Sequence, residues 1–203
     1  MVQKNSTGDT HVDEALLCVA HSSPDGRLIA SAGQGGTVQV MDVDSGEVLH
    51  ELDGQGNEAV FSVSLSPLGG LLAAAERRHA VIRLWSIESG AEVGCLTAEG
   101  FGGVNSVAFS CDGSTIVAAY GDVHHTHTPQ AQLNGGPVHD PNAVMVWDVE
   151  AGACRMQIAD GHNGAVTTVC CSPASERYAA SGSIDGTIRV WDIIDGREER
   201  VLA

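Results

Sequence analysis

Four short anchors constrain this chain more than any other feature. Met41-Asp42, Trp85-Ser86, Trp147-Asp148 and Trp191-Asp192 recur at steps of 44, 62 and 44 residues. Self-similarity at a period of this size marks one supersecondary unit used again and again. Five residues after each anchor stands a glycine: Gly46, Gly90, Gly152 and Gly196. A glycine held at one offset marks a hairpin turn that needs left-handed backbone.

A second block precedes each anchor. Ser23-Pro24-Asp25-Gly26, Ser66-Pro67-Leu68-Gly69, Ser110-Cys111-Asp112-Gly113 and Ser172-Pro173-Ala174-Ser175 hold equivalent places. Each follows a strand-like run. In the second unit Phe61, Val63 and Leu65 alternate with serines, which is the period of a strand with one buried face. After the turn comes a strand of small residues, such as Leu71 to Ala75. Such side chains let strands crowd, as the inner part of a radial fold needs. A β-branched strand then ends on the anchor, and a fourth strand closes the unit. No segment carries a 3.6-residue period. Four short strands in about 44 residues describe one blade of a propeller. The predicted class is therefore all-β.

The last unit carries the fullest motif. Gly161-His162 is followed by Ser172-Pro173 and then by Ala180-Ser181-Gly182-Ser183-Ile184-Asp185-Gly186-Thr187-Ile188-Arg189-Val190-Trp191-Asp192. This resembles the signature of the WD-repeat (beta-transducin-like) β-propeller family, and the likeness extends over the chain after residue 12. The resemblance implies that His162, Ser181, Asp185 and Trp191 form a structural hydrogen-bond chain. It implies blade anchors at Met41, Trp85, Trp147 and Trp191. Serine, histidine and aspartate together also suggest a hydrolase triad, but nothing in the sequence supplies an oxyanion hole. No catalytic residue is assigned. The other units depart from the signature. Met41 replaces Trp in the first, and Gly54-Gln55 and Gly100-Phe101 stand where Gly-His belongs. Those blades are expected to rely on packing.

The resemblance divides the chain into a polar tail over residues 1–12 and a repeat domain over 13–203. Its blades fall at about 13–53, 54–98, 99–159 and 160–203. A seven-bladed ring at this period would take ~300 residues. The expected architecture is thus a partial propeller or open arc, or a small or oligomer-closed ring. Self-association and additional blades from a longer propeller are both expected routes to covering the end blades.

Charge narrows the partners. The net formal charge is −16, with only 10 Lys plus Arg. Phosphate backbones and anionic lipids are recognised by basic residues, so neither nucleic acid nor membrane is an expected direct partner. Other proteins, including ones with basic segments, fit better. The six cysteines form no Cys-x-x-Cys pair, and most sit in apolar strand-like runs, where a reduced thiol acts as a small hydrophobe. Residues 1–8 contain no apolar stretch of a secretory signal. The expected location is intracellular, cytoplasmic or nuclear. Gly33-Gln34-Gly35-Gly36 and Gly100-Phe101-Gly102-Gly103 precede no helix, so neither reads as a phosphate loop. No cofactor is expected.

The third unit is 18 residues longer than the step of 44, and the excess falls within an insertion that runs approximately over 122–142. Long loops in compact folds carry function or stay disordered. This one contains His124, His125, His127 and His139, together with Asp122 and Asp140. Neutral imidazole is a common metal ligand, although the spacing matches no specific site. The main functional expectation is a non-catalytic WD-repeat interaction scaffold or adaptor, alone or as part of a longer propeller. The alternative is a metal-binding protein or enzyme that uses the His-rich insertion.

Overall fold

A computed structural model describes residues 15–21, 26–54, 58–76, 80–121 and 142–203. Sixteen strands form four antiparallel four-stranded sheets, and there is no helix among the described residues. The first sheet holds β1 (Leu16–His21), β2 (Leu28–Gly33), β3 (Thr37–Asp42) and β4 (Val48–Asp53). The second holds β5 (Val60–Leu65), β6 (Leu71–Glu76), β7 (Val81–Ser86) and β8 (Glu92–Thr97). The third holds β9 (Val104–Phe109), β10 (Thr115–Tyr120), β11 (Ala143–Asp148) and β12 (Ala153–Ile158). The fourth holds β13 (Val166–Cys171), β14 (Tyr178–Ser183), β15 (Ile188–Asp192) and β16 (Arg197–Leu202). Every sheet is a meander in chain order.

The sheets stack face to face as WD-type propeller blades. Their first strands lie side by side: β1 against β5, β5 against β9, and β9 against β13. No comparable contact joins the fourth sheet to the first among the described residues, so the ring is not closed. The innermost strands are therefore the Val-rich first strands. The small-residue strands come second, not innermost, because the first strands are the ones that meet from blade to blade.

Three apolar layers fill the spaces between sheets. Ala30, Val38, Val40 and Leu52 of the first sheet meet Leu72, Ala74 and Trp85 of the second. Ala73, Ile82, Leu84 and Leu96 on the reverse face meet Ile116, Tyr120, Met145 and Trp147 of the third. Val117, Val144 and Val146 meet Val169, Ala179 and Trp191 of the fourth. Each of the three tryptophan anchors, Trp85, Trp147 and Trp191, thus packs on the preceding blade. A β-bulge directly precedes every anchor, at Val40/Met41, Leu84/Trp85, Val146/Trp147 and Val190/Trp191. Bulges re-aim the side chains beside them, and this one recurs at a fixed point of the repeat.

The turn after each anchor also repeats. Gly46, Gly90, Gly152 and Gly196 have φ of 70°, 67°, 60° and 71°. This is the left-handed region that the fixed glycine offset demands. In the first and fourth units the anchor aspartate ties the turn down. Asp42 Oδ1 accepts the N–H groups of Asp44 and Ser45, and Asp192 Oδ1 accepts those of Ile194 and Asp195.

Candidate functional site

The polar cluster of the fourth blade is built by three segments. The turn before β13 supplies His162, β14 supplies Ser181, and the β14–β15 turn with β15 supplies Asp185, Thr187 and Trp191. The structure brings the four signature side chains together. Trp191 Nε1–H donates to Ser181 Oγ at 2.7 Å, and Ser181 Oγ lies 2.7 Å from His162 Nε2. His162 Nδ1 lies 2.9 Å from Asp185 Oδ2. This network is satisfied by the tautomer that carries its proton on Nδ1: His162 donates to Asp185 and accepts the Ser181 hydroxyl proton at Nε2.

Asp185 is the hub of a tight turn. Thr187 donates to Oδ1 through its N–H at 2.9 Å and its hydroxyl at 2.7 Å, and Asn163 N–H donates to Oδ2 at 2.9 Å. Burial opposes ionisation of this carboxyl. The donors from Thr187, Asn163 and His162 outweigh it and hold Asp185 well below the usual carboxylate range. Gly161 is required by the same packing, since a Cβ there would lie 2.2 Å from Trp191 Cη2.

The contacts resemble those of a hydrolase triad, but their accessibility does not. Ser181 is 1% exposed, and its oxygen already accepts the indole N–H. A nucleophile must reach a substrate atom, and this hydroxyl faces the packed interior between the third and fourth blades.

The other blades fill the equivalent place differently. Strand registers align Ser181 with Ser31, Ala74 and Ala118. In the third blade Phe101 stands in place of histidine and packs edge-on against Tyr120, with centroids 5.5 Å apart. Trp147 Nε1 and Tyr120 Oη are buried there without a hydrogen-bond partner among the described residues. In the second blade an ion-pair network appears that the motif reading does not contain. Arg83 Nε lies 2.5 Å from Glu76 Oε1, and Arg83 Nη1 lies 3.0 Å from Glu92 Oε1. Glu76 is 1% exposed, beneath Gly54, where a Cβ would come within 2.6 Å of its carboxylate. The hydrogen bond that Arg83 donates to Glu76 holds the guanidinium charged, above its ordinary range, against its burial. The signal available in sequence was a Glu and an Arg inside two adjacent apolar strands.

The insertion histidines His124, His125, His127 and His139 lie outside the described residues. Among the described residues no group of three His, Cys, Asp or Glu could hold a metal ion, and no helix is long and apolar enough to cross a membrane. All six cysteines are free.

Strand direction gathers two sets of connections at one end of the sheets. The β10–β11 connection, which contains the insertion, shares that end with the β4–β5, β8–β9 and β12–β13 connections. Each of those three carries an exposed carboxylate at or near its start: Asp53, Glu99 and Asp160.

Known proteins place this architecture. The family described as "WD domain, G-beta repeat" matches residues 3–42, 90–122 and 153–192. Translation initiation factor 3 subunit I of Pyricularia oryzae is 43% identical over 54 residues, 27% of this chain and 15% of its own length. The pre-mRNA-splicing factor PRP46 of Eremothecium gossypii is 44% identical over 41 residues, 20% of this chain and 10% of its own. The matched segments thus span a small part of these curated relatives. In the crystal structure of a mitotic checkpoint complex, one chain superposes with a TM-score of 0.75 at 20% identity, over 96% of this chain and 52% of that one.

Proposed function

This chain belongs to the WD domain, G-beta repeat family, and on that premise we propose that it is a non-catalytic protein-interaction scaffold or adaptor. One observation carries the reading. The sheets present the β4–β5, β8–β9, β10–β11 and β12–β13 connections together at one end, while the triad-like cluster of the fourth blade is buried between blades. Loops held on a rigid frame are the usual place for recognition. In this reading His162, Ser181, Asp185 and Trp191 are a structural hydrogen-bond chain, and the four anchors are packing elements.

The proposed docking surface is the loop end that includes the insertion over 122–142. Its exposed Asp53, Glu99 and Asp160, within a chain of net charge −16, favour a basic protein segment. The same charge disfavours nucleic acid and anionic membrane as direct partners. An intracellular location, cytoplasmic or nuclear, agrees with relatives named for translation initiation and pre-mRNA splicing.

The test is affinity capture from cell extract with the chain and with a variant whose residues 122–141 are replaced by a short Gly-Ser linker. The expected result is a reproducible set of protein partners, depleted by the replacement and weakened by salt. Failure to enrich any protein above a bead control would overturn the reading.

A further inference from the structure

Each of the three interfaces between sheets has an outer rim, where the fourth strand of one sheet reaches the last hairpin of the next. Register puts His50, Gly94 and Met156 at one position of that fourth strand, opposite Val40, Leu84 and Val146. His50 covers Gly90 of the second sheet, where a Cβ would lie 2.6 Å from its Nδ1. Met156 covers Gly196 of the fourth sheet, where a Cβ would lie 2.7 Å from its Sδ. Between the second and third sheets both partners are glycine. Gly94 extends nothing over Gly152, and a Cβ built on either meets no atom within 4 Å. Gly90 and Gly196 are half-buried, whereas Gly152 is exposed. The middle interface therefore has a notch at its rim where its two neighbours are plugged.

The next interface shows what fits such a place. Arg155 is the extra residue of the β12 bulge, beside Met156. Its Nη2 donates across the rim to the Ile193 carbonyl at 3.0 Å. An Arg-Met pair thus seals that rim, with the thioether over the hairpin glycine and the guanidinium on a carbonyl of the facing hairpin. In the second sheet the same two positions hold Val93 and Gly94. Val93 is 57% exposed and has no side-chain donor for the equivalent carbonyl, that of Val149.

Charge at the notch is unbalanced as well. In the first and fourth sheets the aspartate that ends the third strand pairs with an arginine. Arg27 Nη2 lies 3.0 Å from Asp42 Oδ2, and Arg177 pairs with Asp192. The N–H groups of Val43, Val149 and Ile193 bond to the carbonyls of Arg27, Ser114 and Arg177, so Ser114 holds the place of the arginine in the third sheet. Neither Asp148 nor the exposed Glu150 beside the notch has an ion pair among the described residues.

We propose that this notch is a docking site for a protein segment that carries an arginine followed by methionine or another long apolar residue. The segment repeats from outside what Arg155 and Met156 do from within. Its apolar side chain lies between Gly94 and Gly152. Its guanidinium donates to the Val149 carbonyl and is balanced by Asp148 and Glu150. Complementary charge of this kind sets partner choice. The planar fork of arginine suits a carbonyl and a carboxylate together, which the single ammonium of lysine does not. The β11–β12 hairpin lies at the opposite end of the sheets from the insertion, so this is a second surface and does not depend on the role of the loop end.

The probe is a capped synthetic peptide, Gly-Ala-Ser-Arg-Met-Gln-Ile-Ala, which copies residues 152–159 with serine in place of Cys154. It is titrated into the isotope-labelled 203-residue chain and followed by amide chemical shifts. The expected result is saturable shifts at Gly94, Glu150 and Gly152, weakened about tenfold when the peptide arginine is replaced by alanine. Glu150→Gln is expected to weaken binding about two- to fivefold. Gly94→Met fills the notch from within and is expected to abolish these shifts while raising the thermal midpoint. Gly94→Leu serves the same purpose if Gly94→Met fails to fold. No saturable shift, equal binding of the alanine peptide, or a filled variant that still binds overturns the proposal. So do shifts centred on Ile193 and Gly196, the mark of a displaced β12, and signals from residues 1–14 or 122–141 that move on Gly94→Met, the mark of an occupant from this chain.

Discussion

The indole N–H of Trp191 donates to Ser181 Oγ at 2.7 Å, and the same oxygen meets His162 Nε2 at 2.7 Å. One small hydroxyl therefore satisfies two larger buried rings. Ser181→Ala leaves both nitrogens unpaired, at ~1–3 kcal/mol for each stranded group. Urea unfolding is expected to show a lower midpoint with an unchanged slope. An unaltered midpoint would show that the chain of hydrogen bonds contributes nothing to stability.

Asp185 links the same cluster to pH. Its carboxyl is held below the ordinary value, so the folded state binds a proton less readily than the unfolded chain. The stabilisation is then fully present above an unfolded value of about pH 4 and is lost as pH falls toward the lower folded value. Asp185→Asn removes that dependence. The stability gap between wild type and variant is expected to be widest near neutrality and to narrow under acid. A gap that is constant with pH would contradict the assignment.

The second blade yields a double-mutant cycle. Arg83→Met strands the buried Glu76 carboxylate, and breaking one side of a buried pair costs ~3–5 kcal/mol. The double variant Glu76→Leu with Arg83→Met removes both charges and is expected to be more stable than Arg83→Met alone. Thermal unfolding of the four proteins checks this. Additive losses would show that the two side chains are not coupled.

Two glycines separate steric from backbone effects. Gly161→Ala places a Cβ 2.2 Å from Trp191 Cη2 and is expected to cost ~1–3 kcal/mol as overpacking. Gly152→Ala meets nothing within 4 Å and carries only the left-handed strain of φ 60°, ~1–2 kcal/mol. Near-UV circular dichroism of the tryptophan region is expected to change in the first variant and not in the second.

The repeat was legible because its signals are backbone demands. A left-handed turn needs Gly46, Gly90, Gly152 and Gly196, and an anchor beside a register shift of the fourth strand recurs at a fixed distance from it. The fourth-blade cluster could be named because its four residue types sit at the offsets of a known signature. The Glu76–Arg83 pair was not, since it forms across a hairpin in a blade that lacks the signature serine and histidine. The edge-on pairing of Phe101 with Tyr120 was hidden for the same reason: packing substitutes carry no motif. Which strand is innermost was also obscure, because small residues suit any crowded position.

Hydrogen–deuterium exchange of the chain with a captured partner tests the scaffold reading most directly. New protection is expected at the shared loop end, over residues 54–59, 98–103, 122–142 and 159–165. Protection confined to the opposite end, over residues 43–47, 66–70, 87–91 and 110–114, or spread along the outer strands, would contradict it.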